Sequence, residues 1–355
     1  MVDEESFGRD SEYGDRRAAA MSPAAILRVG LAGAGWVTPH HLRAWARLAP
    51  RATVVAIADP DVAAARARAG EFGIPVAYDS VEAMLDAETL DAVDVATPRE
   101  AHAPVCRMAA ARGLAILCQK PLAPAFAEAR QLVGDVGGRS RLMVHENWRF
   151  RPHYRQIRSW LDDERLGDVR TVTMSVLTSG FLPDANGVLP ALGRQPMLAT
   201  LDRLLLMEVL IHHVDTLRFL VGPMTLTGAQ LGRSSAAVRG EDRATLFMTT
   251  AAGAAVSLVG DFMAYGHPPE AFDRLAIYGT RGAITLERDR LRIDGERSQE
   301  VQLDLPANYA ASYAAAIAHF VDRLEDGRPF ETGPDDNLET LRIVEAAYAA
   351  GGFGG

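Results

Sequence analysis

The chain has 355 residues, 48% of them hydrophobic, which is enough to fill two domains of ordinary size. A formal charge of −9 without a basic stripe argues against a nucleic-acid partner, and no apolar run reaches the ~18 residues that a membrane span needs. The two cysteines lack metal-ligand spacing and the nine histidines form no His-x-x-x-His pair, so we expect no metal and a reduced, cytoplasmic protein.

Residues 1–25 are polar and charged without a hydrophobic period, and we predict a disordered tail there that lacks the apolar core of a signal peptide. Strand and helix patterns then alternate. Strands are predicted at 26–31, 53–58, 75–77, 92–96, 115–118 and 141–145. A helix is predicted through His41, Leu42, Trp45 and Leu48, and further helices at 62–71, 81–86, 102–112 and 126–136. This alternation is typical of a parallel sheet with crossover helices, so 26–146 is predicted to be a dinucleotide-binding Rossmann domain.

The pattern changes in residues 147–355, where strands follow one another with turn residues between them. Strands are predicted at 169–177, 224–231, 244–250, 254–259, 274–278, 283–286, 291–293 and 301–303, and helices at 151–162, 204–220, 309–326 and 338–350. Short strands joined by turns favour hairpins. The second domain is therefore predicted to be α+β, a mostly antiparallel sheet with helices on one face.

A nucleotide site is predicted where Gly33-x-Gly35 follows the first strand and opens a helix. The first glycine allows a tight turn, and the second lets the backbone approach a pyrophosphate at the helix N-terminus. Thr38 stands where a third Gly or Ala is usual, so either the packing is looser or its hydroxyl helps to bind phosphate. Asp59 ends the second strand, where a carboxylate binds the ribose hydroxyls of NAD and repels a 2′-phosphate. Arg66 and Arg68 follow closely, which leaves NADP open.

Lys120 is the sole lysine of the chain, and every other basic residue that is always charged is an arginine. Arginine cannot replace lysine where a site needs a compact ammonium group with a tunable pKa. Pro121 keeps Lys120 out of the helical region, at the end of a predicted strand. Ligand groups in an open parallel sheet lie at such strand ends, so Lys120 is predicted to be catalytic. Chance survival of one exposed lysine is the alternative.

A second polar group lies in the apolar stretch 204–220, where Glu208, His212 and Asp215 share one predicted helix face. Buried polar side chains are costly unless they form bonds, so this stripe is either a polar network that holds the helix or part of a catalytic site. Histidine has a pKa near working pH, which makes His212 the candidate general base. His213 points about 100° away and is predicted to be structural.

The chain resembles the glucose–fructose oxidoreductase, inositol dehydrogenase and rhizopine-catabolism family, written Gfo/Idh/MocA. The resemblance covers nearly everything after the tail. Its matching segments are Val29–Gly35, Ala96-Thr97-Pro98 with His102, Gln119-Lys120-Pro121, Asn147-Trp148-Arg149-Phe150 with Pro152, Leu166–Val169, Glu208-x-x-x-His212-x-x-Asp215 and Tyr278–Ala283. Each segment alone is modest, but the set in this order is specific for the family.

The resemblance implies hydride transfer between a hydroxyl carbon of a sugar or cyclitol and NAD or NADP, in a cleft between two domains. It implies that Lys120 bonds the reacting hydroxyl, that His212 accepts its proton and that Glu208 assists. Implied cofactor contacts come from Gly33, Gly35, Trp36, Val37, Asp59, Thr97, Pro98, His102 and Gln119. Candidate substrate contacts are Asn147, Trp148, Arg149, Gln195, Arg203 and Asp215. The second domain would bind substrate and form a homodimer or homotetramer through its open sheet face.

Three departures from the family pattern bear on the transfer of these roles. Gln119 replaces a usual Glu and removes a negative charge beside Lys120. Glu208 is one methylene longer than the usual Asp, and Leu210 stands where Gly is common and would narrow the pocket. Residues 194–220 resemble the aldose-oxidising branch that includes D-apiose dehydrogenase. The alternatives are a cyclitol dehydrogenase or reductase of the same family, or an NAD-binding sensor without catalysis, which Gln119 favours.

Overall fold

The computed structural model describes residues 26–353, so the predicted tail at 1–25 lies outside the described residues. The first half forms a sheet in which every described neighbour is parallel. Its strands are β1 (Leu27–Ala32), β2 (Ala52–Ala58), β3 (Val76–Tyr78), β4 (Ala92–Val95), β5 (Ala115–Gln119) and β6 (Leu142–His145). Their order is β3-β2-β1-β4-β5-β6, which confirms the predicted Rossmann sheet.

Five helices connect these strands: α1 (Thr38–Ala46), α2 (Val62–Phe72), α3 (Val81–Ala87), α4 (His102–Ala111) and α5 (Phe126–Val136). Local chemistry sets their ends. The Asp61 carboxylate accepts hydrogen bonds from the N–H groups of Ala63 and Ala64 and so begins α2. Gly73, with φ of 69°, ends that helix in the left-handed conformation that glycine adopts most easily.

The second half is built on an eight-stranded sheet, β14-β13-β12-β11-β7-β10-β9-β8. Every described pair in it is antiparallel except β7 with β10, which confirms a mostly antiparallel sheet. The strands are β7 (Val169–Leu177), β8 (Met224–Gly232), β9 (Arg243–Thr250), β10 (Ala255–Asp261), β11 (Asp273–Gly279), β12 (Ala283–Glu287), β13 (Arg290–Asp294) and β14 (Gln299–Gln302). The helices are α6 (Pro152–Asp162), α7 (Pro190–Arg194), α8 (Ile211–Val221), α9 (Leu305–Asp326) and α10 (Pro334–Gly351).

Buried residues alternate with partly or fully exposed residues along the strands of this sheet. Because successive side chains point to opposite faces, one face of the sheet contributes to the core. The buried face packs against helices, while the other face stays open in the single chain. Phe247 and Tyr278 project from the open face and are 53% and 47% exposed. The open face therefore presents large aromatic side chains on a broad, regular surface.

Helix α9 belongs to the second half of the chain but completes the core of the first. Its Phe320 is fully buried and packs edge-on against Trp45 of α1, with 6.3 Å between the ring centroids. Tyr313 and Ile317 of the same helix lie in that core as well. The division between domains at 146 and 147 stays a prediction, and the two halves share this helix.

The helix predicted over 204–220 is present as an unbroken helical run over 205–221, but it is not a regular α-helix throughout. Leu205–Leu210 forms a wider π-helical turn, and the regular helix α8 begins only at Ile211. Glu241 takes the backbone N–H groups that open this segment, because its carboxylate accepts from Leu204 at 3.2 Å and from Leu206 at 2.9 Å. A π-helical turn changes the direction of side chains relative to an α-helix and is frequent at functional sites.

Four shorter elements were also not predicted: α7 and the 3₁₀ turns Arg99–Ala101, Trp148–Phe150 and Pro196–Thr200. Each is too short to produce a hydrophobic period. Within residues 26–353, no helix combines the length and the apolar character needed to cross a bilayer.

Candidate active site

The carboxyl ends of the parallel strands bring the nucleotide turn and the catalytic candidates to one edge of the first sheet. Gly33 follows β1, Asp59 follows β2, Lys120 follows β5 and Glu146 follows β6. The strand order reverses between β1 and β4, and this is where open parallel sheets bind their ligands.

The two glycines of the turn after β1 have different surroundings. Gly33 has φ of 102°, and a Cβ there would lie 2.6 Å from the carbonyl oxygen of Ala96. A Cβ on Gly35 would meet nothing within 4 Å, so the space before α1 is open. The Thr38 hydroxyl is fully buried and donates to the Gly33 carbonyl at 3.0 Å. Thr38 therefore stabilises the turn through its buried hydroxyl.

Asp59 is partly exposed beside the same turn. One of its carboxylate oxygens accepts the Ala34 N–H at 2.7 Å, and the other accepts the Asp61 N–H at 2.8 Å. The carboxylate thus holds the glycine turn while it remains open to solvent. Trp36 is 58% exposed and Val37 is partly exposed, so both side chains are accessible to a ligand at the N-terminus of α1.

The turn after β4 contains Thr97 and Pro98. The Thr97 hydroxyl is buried and has no hydrogen-bond partner among residues 26–353, so it is available to a polar group of a ligand. His102 is only 1% exposed, and its ring nitrogens lie 2.8 Å from the Pro121 carbonyl and 3.0 Å from the Thr97 carbonyl. His102 therefore connects the turns after β4 and β5, and its predicted cofactor contact stays a prediction.

Gln119 is placed differently from its predicted cofactor contact. Its side chain is buried, its Oε1 accepts the backbone N–H of Lys120 at 2.9 Å, and its Nε2 lies 2.9 Å from His41 Nε2. The other His41 ring nitrogen is 2.8 Å from the Asp94 carboxylate. Gln119 therefore fixes the backbone of Lys120 from inside the first domain. The ammonium group of Lys120 bonds to Glu208, whereas the Gln119 side chain bonds to the backbone of Lys120 and to His41. The charge that Gln in place of Glu removes at position 119 would therefore not lie directly beside the ammonium group, as had been expected.

The anion beside Lys120 is Glu208. The Lys120 ammonium donates to the Glu208 carboxylate and to the Glu208 carbonyl oxygen, both at 2.8 Å. The Lys120 side chain is 10% exposed, and Arg99 lies 3.9 Å from the other carboxylate oxygen. An ammonium group has three N–H donors, so one donor remains for a substrate oxygen. Glu208 lies in the π-helical turn and His212 lies in α8, so the two do not share one regular α-helix as predicted.

His212 lies at the start of α8 and is 7% exposed. Its Nδ1 is 2.5 Å from Glu146, which leaves Nε2 for a ligand. Its ring stacks on Trp148 with 4.3 Å between centroids and 16° between planes, while the Arg151 guanidinium lies 3.5 Å from the Trp148 centroid. Two groups this close must cover opposite faces of the indole, so only the edge of Trp148 can face a substrate.

Electrostatics keep the His212 ring neutral. Burial lowers the pKa of His212 well below its ordinary value, and the positive charge of Lys120 lowers it further. A neutral imidazole can accept a proton, which a general base requires. The candidate base and the candidate oxyanion donor therefore act on each other through space.

Asp273 of β11 fixes Trp148 and other residues next to His212. It accepts hydrogen bonds from Trp148 Nε1 at 3.1 Å, from the Tyr154 hydroxyl at 2.7 Å and from His213 Nε2 at 2.8 Å. Burial opposes its charge, but His213 and Arg151 outweigh burial and hold the pKa of Asp273 well below its usual range. His213 is thus structural, as predicted.

Arg149 and Asp215 pair with each other, which replaces the substrate contacts predicted for both. Arg149 Nε donates to the Asp215 carboxylate at 2.6 Å, and Arg149 also reaches Asp336 at 2.7 Å. Asp215 is fully buried and Arg149 is 3% exposed. Their charges neutralise each other between α8 and the segment after β6, which makes the pair part of the core.

The remaining candidates for substrate contact are engaged elsewhere or stay predictions. Arg203 makes two hydrogen bonds to Glu345 of α10, at 2.7 and 3.1 Å, and its predicted substrate contact stays a prediction. Asn147 donates to Ser312 of α9 at 2.8 Å. Gln195 is partly exposed after α7, and its role stays a prediction. Leu210 was expected to narrow the pocket, but it packs on Gly260 of β10. The contact is so close that a Cβ on Gly260 would lie 2.7 Å from Leu210 Cδ1.

Sequence reasoning missed several residues at this site: Glu146, Arg99, Arg151 and Asp273. A signal existed for Glu146, because the polar residues Glu146 and Asn147 directly follow the buried strand β6. No such signal existed for Asp273, whose partners are more than 50 residues away in sequence.

The residues present fit a dinucleotide cofactor. The turn has open space at Gly35, α1 presents its N-terminus, Asp59 lies at the end of β2 and Thr97 has a buried unpaired hydroxyl. Across the described range, 26–353, no group of three or more His, Cys, Asp or Glu side chains is arranged to hold a metal ion.

Comparison with known proteins gives two family matches. Residues 27–145 match the oxidoreductase family with an NAD-binding Rossmann fold, and residues 154–285 match the GFO/IDH/MocA C-terminal domain. The chain belongs to the Gfo/Idh/MocA oxidoreductase family. This member is accordingly an oxidoreductase with an NAD-binding Rossmann domain.

Two relatives and one solved structure illustrate the likeness of this Gfo/Idh/MocA protein. D-apiose dehydrogenase of Paraburkholderia graminis is 33% identical, over 90% of this chain and 86% of its own length. Inositol 2-dehydrogenase of Rhizobium meliloti is 30% identical, over 90% and 96%. An oxidoreductase from Agrobacterium radiobacter in complex with NAD+, L-tartaric acid and magnesium is 27% identical, with a TM-score of 0.85 over 92% of this chain and 97% of that chain.

The buried Arg149–Asp215 pair generates a prediction about stability. Replacing Asp215→Ala leaves a buried guanidinium without its nearest anion, and we expect the free energy of unfolding to fall by about 3–5 kcal/mol. Urea unfolding measures it. Arg342→Ala, which breaks an exposed pair with Glu339, is the control and should change little. A raised substrate KM with unchanged stability would restore the substrate-binding role of Asp215.

Proposed function

We propose that this chain is an NAD-dependent dehydrogenase that oxidises a hydroxyl carbon of a small sugar or cyclitol, with an aldose as the first candidate. The observation that carries the proposal is that Lys120 lies at the end of β5, on the sheet edge that holds the nucleotide turn, while His212 at the start of α8 is bonded to Glu146 at the end of β6. Lys120 is held by Glu208 at 2.8 Å, and His212 presents Nε2. The D-apiose and inositol dehydrogenases among the relatives support this substrate class.

In the proposed mechanism, the Lys120 ammonium donates its remaining N–H to the reacting hydroxyl oxygen and stabilises negative charge that develops there. His212 accepts the hydroxyl proton at Nε2. When bound, NAD supplies the hydride acceptor. Glu208 restricts the ammonium to one position, and the stacked Trp148 restricts the imidazole plane, so both groups are oriented before substrate arrives.

A cyclitol as substrate, or reduction as the working direction, is the second candidate within the same chemistry. Inositol 2-dehydrogenase of Rhizobium meliloti, at 30% identity over nearly its full length, favours it. The alternative of a sensor without catalysis is no longer favoured. It depended on the absence of a negative charge at Gln119, but the Glu208 carboxylate provides a negative charge directly beside the ammonium group of Lys120.

The proposed function is tested by screening purified protein with NAD against aldoses and cyclitols, following the absorbance of reduced nicotinamide. One substrate should be turned over. His212→Ala should lower its kcat roughly 10²–10⁴-fold, the usual contribution of a general base. Lys120→Ala should abolish turnover. Lys120→Arg keeps the charge without the compact ammonium, so it should also be poor. Tight NADH binding without turnover of any sugar or cyclitol would contradict the proposal.

NAD is proposed as the preferred cofactor because the partly exposed Asp59 carboxylate would repel a 2′-phosphate. Asp59→Asn retains an oxygen that can accept the Ala34 N–H, but it removes the charge. We expect the ratio of kcat/KM for NAD over NADP to fall roughly tenfold. This is about 1.4 kcal/mol, which lies between the energy of two unit charges roughly 4 Å apart in bulk water and that of the same pair near a protein surface. Asp61→Asn, which removes the carboxylate that caps α2, is the control. An unchanged ratio in Asp59→Asn would place the selectivity elsewhere.

The open sheet face supports the proposal of a homodimer or homotetramer. Phe247 and Tyr278 would be covered if two such faces met. Light scattering should give a multiple of the 38.3 kDa chain mass, and Phe247→Arg should shift it toward one chain. Tyr265→Arg alters a 94% exposed tyrosine outside the sheet strands and should leave the mass unchanged. A single-chain mass for the unaltered protein would contradict the proposal.

The protein is further proposed to act on a small molecule in the cytoplasm, without a nucleic-acid or membrane partner. Cys106 and Cys118 are buried free thiols, as suits a reducing compartment. The net charge of −9 gives no attraction to nucleic acid or to anionic lipid.

A further inference from the structure

Glu146 is a buried carboxyl group that the proposed mechanism does not use. It follows β6 and is fully buried. Its Oε1 lies 2.5 Å from His212 Nδ1 and also accepts the backbone N–H of Trp148 at 3.2 Å. Its Oε2 is buried and has no hydrogen-bond partner in the described part of the chain. Oε1 therefore contacts two nitrogen atoms, while Oε2 has no hydrogen-bond partner among the described residues.

This geometry assigns the hydrogen between the two side chains. An oxygen that accepts the Trp148 N–H is placed as an acceptor, so the partner nitrogen of His212 is the donor when Glu146 is ionised. The imidazole then carries its hydrogen on Nδ1, and Nε2 holds a lone pair. That tautomer is the one that can accept a proton from a substrate hydroxyl.

The surroundings decide which of the two groups holds an additional proton. Burial raises the pKa of Glu146 to about 7, and Lys120, Arg149 and His213 oppose this rise. Burial lowers the pKa of His212 well below its ordinary value, and the charges of Lys120, His213 and Arg151 lower it further while Glu208 opposes them. A buried imidazolium is thus disfavoured here, whereas a protonated Glu146 is accessible at neutral pH. The two groups titrate as a pair.

We propose that Glu146 and His212 form one proton-accepting unit, in which His212 takes the substrate hydroxyl proton at Nε2 and gives its Nδ1 proton to Glu146. The O–H bond of the substrate and the Nδ1–H bond break, while an Nε2–H bond and a carboxyl O–H bond form. The imidazole begins and ends neutral, and the carboxylate becomes a carboxylic acid. This inference rests on the proposed function for the identity of the proton donor.

The unit imposes a pH dependence with a definite sign. Only the pair without its extra proton can accept one from substrate. The value of kcat/KM should therefore rise with pH as the pair deprotonates near pH 7 and level off above it.

Glu146→Gln tests the proton-holding role by activity. Its amide oxygen can still accept from the Trp148 N–H and from His212 Nδ1, so the ring orientation and tautomer are kept, but the amide cannot take a proton. We expect kcat to fall roughly 10²–10⁴-fold, the rise near pH 7 to disappear, and NADH affinity to stay unchanged. A variant with full activity and an unchanged pH profile would overturn the inference.

Asp242→Asn is the matched control, because it removes another fully buried carboxylate whose partners are backbone N–H groups of Ser234 and Ser235 in the β8–β9 connection. It should keep both the turnover and the rise near pH 7. If it reproduced the loss seen in Glu146→Gln, the effect would belong to buried charge in general, and the inference would fail.

A second measurement does not depend on turnover. Ring ¹⁵N shifts of His212, assigned by their absence in His212→Gln, report which nitrogen carries hydrogen. As pH falls through about 7, the ring should change from the Nδ1–H to the Nε2–H tautomer without becoming an imidazolium, and Glu146→Gln should abolish that change. An imidazolium, or an unchanged tautomer, would overturn the inference. The tautomer change in a protein that oxidises no sugar or cyclitol would support the pair and contradict only the proposed function.

Discussion

The ion pair between Lys120 and Glu208 is the interaction on which the site depends. It joins the end of β5 in the first sheet to the π-helical turn that precedes α8 in the second half, through two hydrogen bonds of 2.8 Å. Both side chains are largely shielded, so the attraction is stronger than that of a surface pair. The pair therefore positions the ammonium group and also connects the two halves of the chain.

Polar groups on either side stabilise this arrangement. Gln119 fixes the backbone of Lys120 through its own side chain, and His102 connects the neighbouring turns. On the opposite side, Asp273 fixes Trp148, whose ring supports His212. Each catalytic candidate thus rests on a residue that does not face the cleft. Supporting contacts of this kind hold reacting groups to a narrow range of positions, which proximity and orientation require.

Three predicted substrate contacts are engaged in ion pairs with other side chains. The sequence suggests Arg149 because it follows the last Rossmann strand, Arg203 because it precedes the catalytic helix, and Asp215 because it shares the predicted helix face of Glu208 and His212. A buried charge must be paired, and the buried Arg149 and Asp215 pair with each other, while the partly exposed Arg203 pairs with Glu345. Sequence pattern shows that a charged residue is in an apolar segment, but it does not show whether its partner is a substrate or another side chain.

The sequence by itself determined the Rossmann half, the mostly antiparallel second sheet and the strand-end position of Lys120. Hydrophobic periodicity, glycine spacing and proline are local signals, so a few neighbouring residues are enough to predict these parts of the structure. Only the tertiary structure decided that Glu208 serves Lys120, that Glu146 partners His212 and that α9 completes the first core. The first follows from a π-helical turn held by Glu241, which lies over 30 residues away. Contacts between residues so far apart in the sequence depend on how the two halves pack, and a local sequence pattern does not predict that packing.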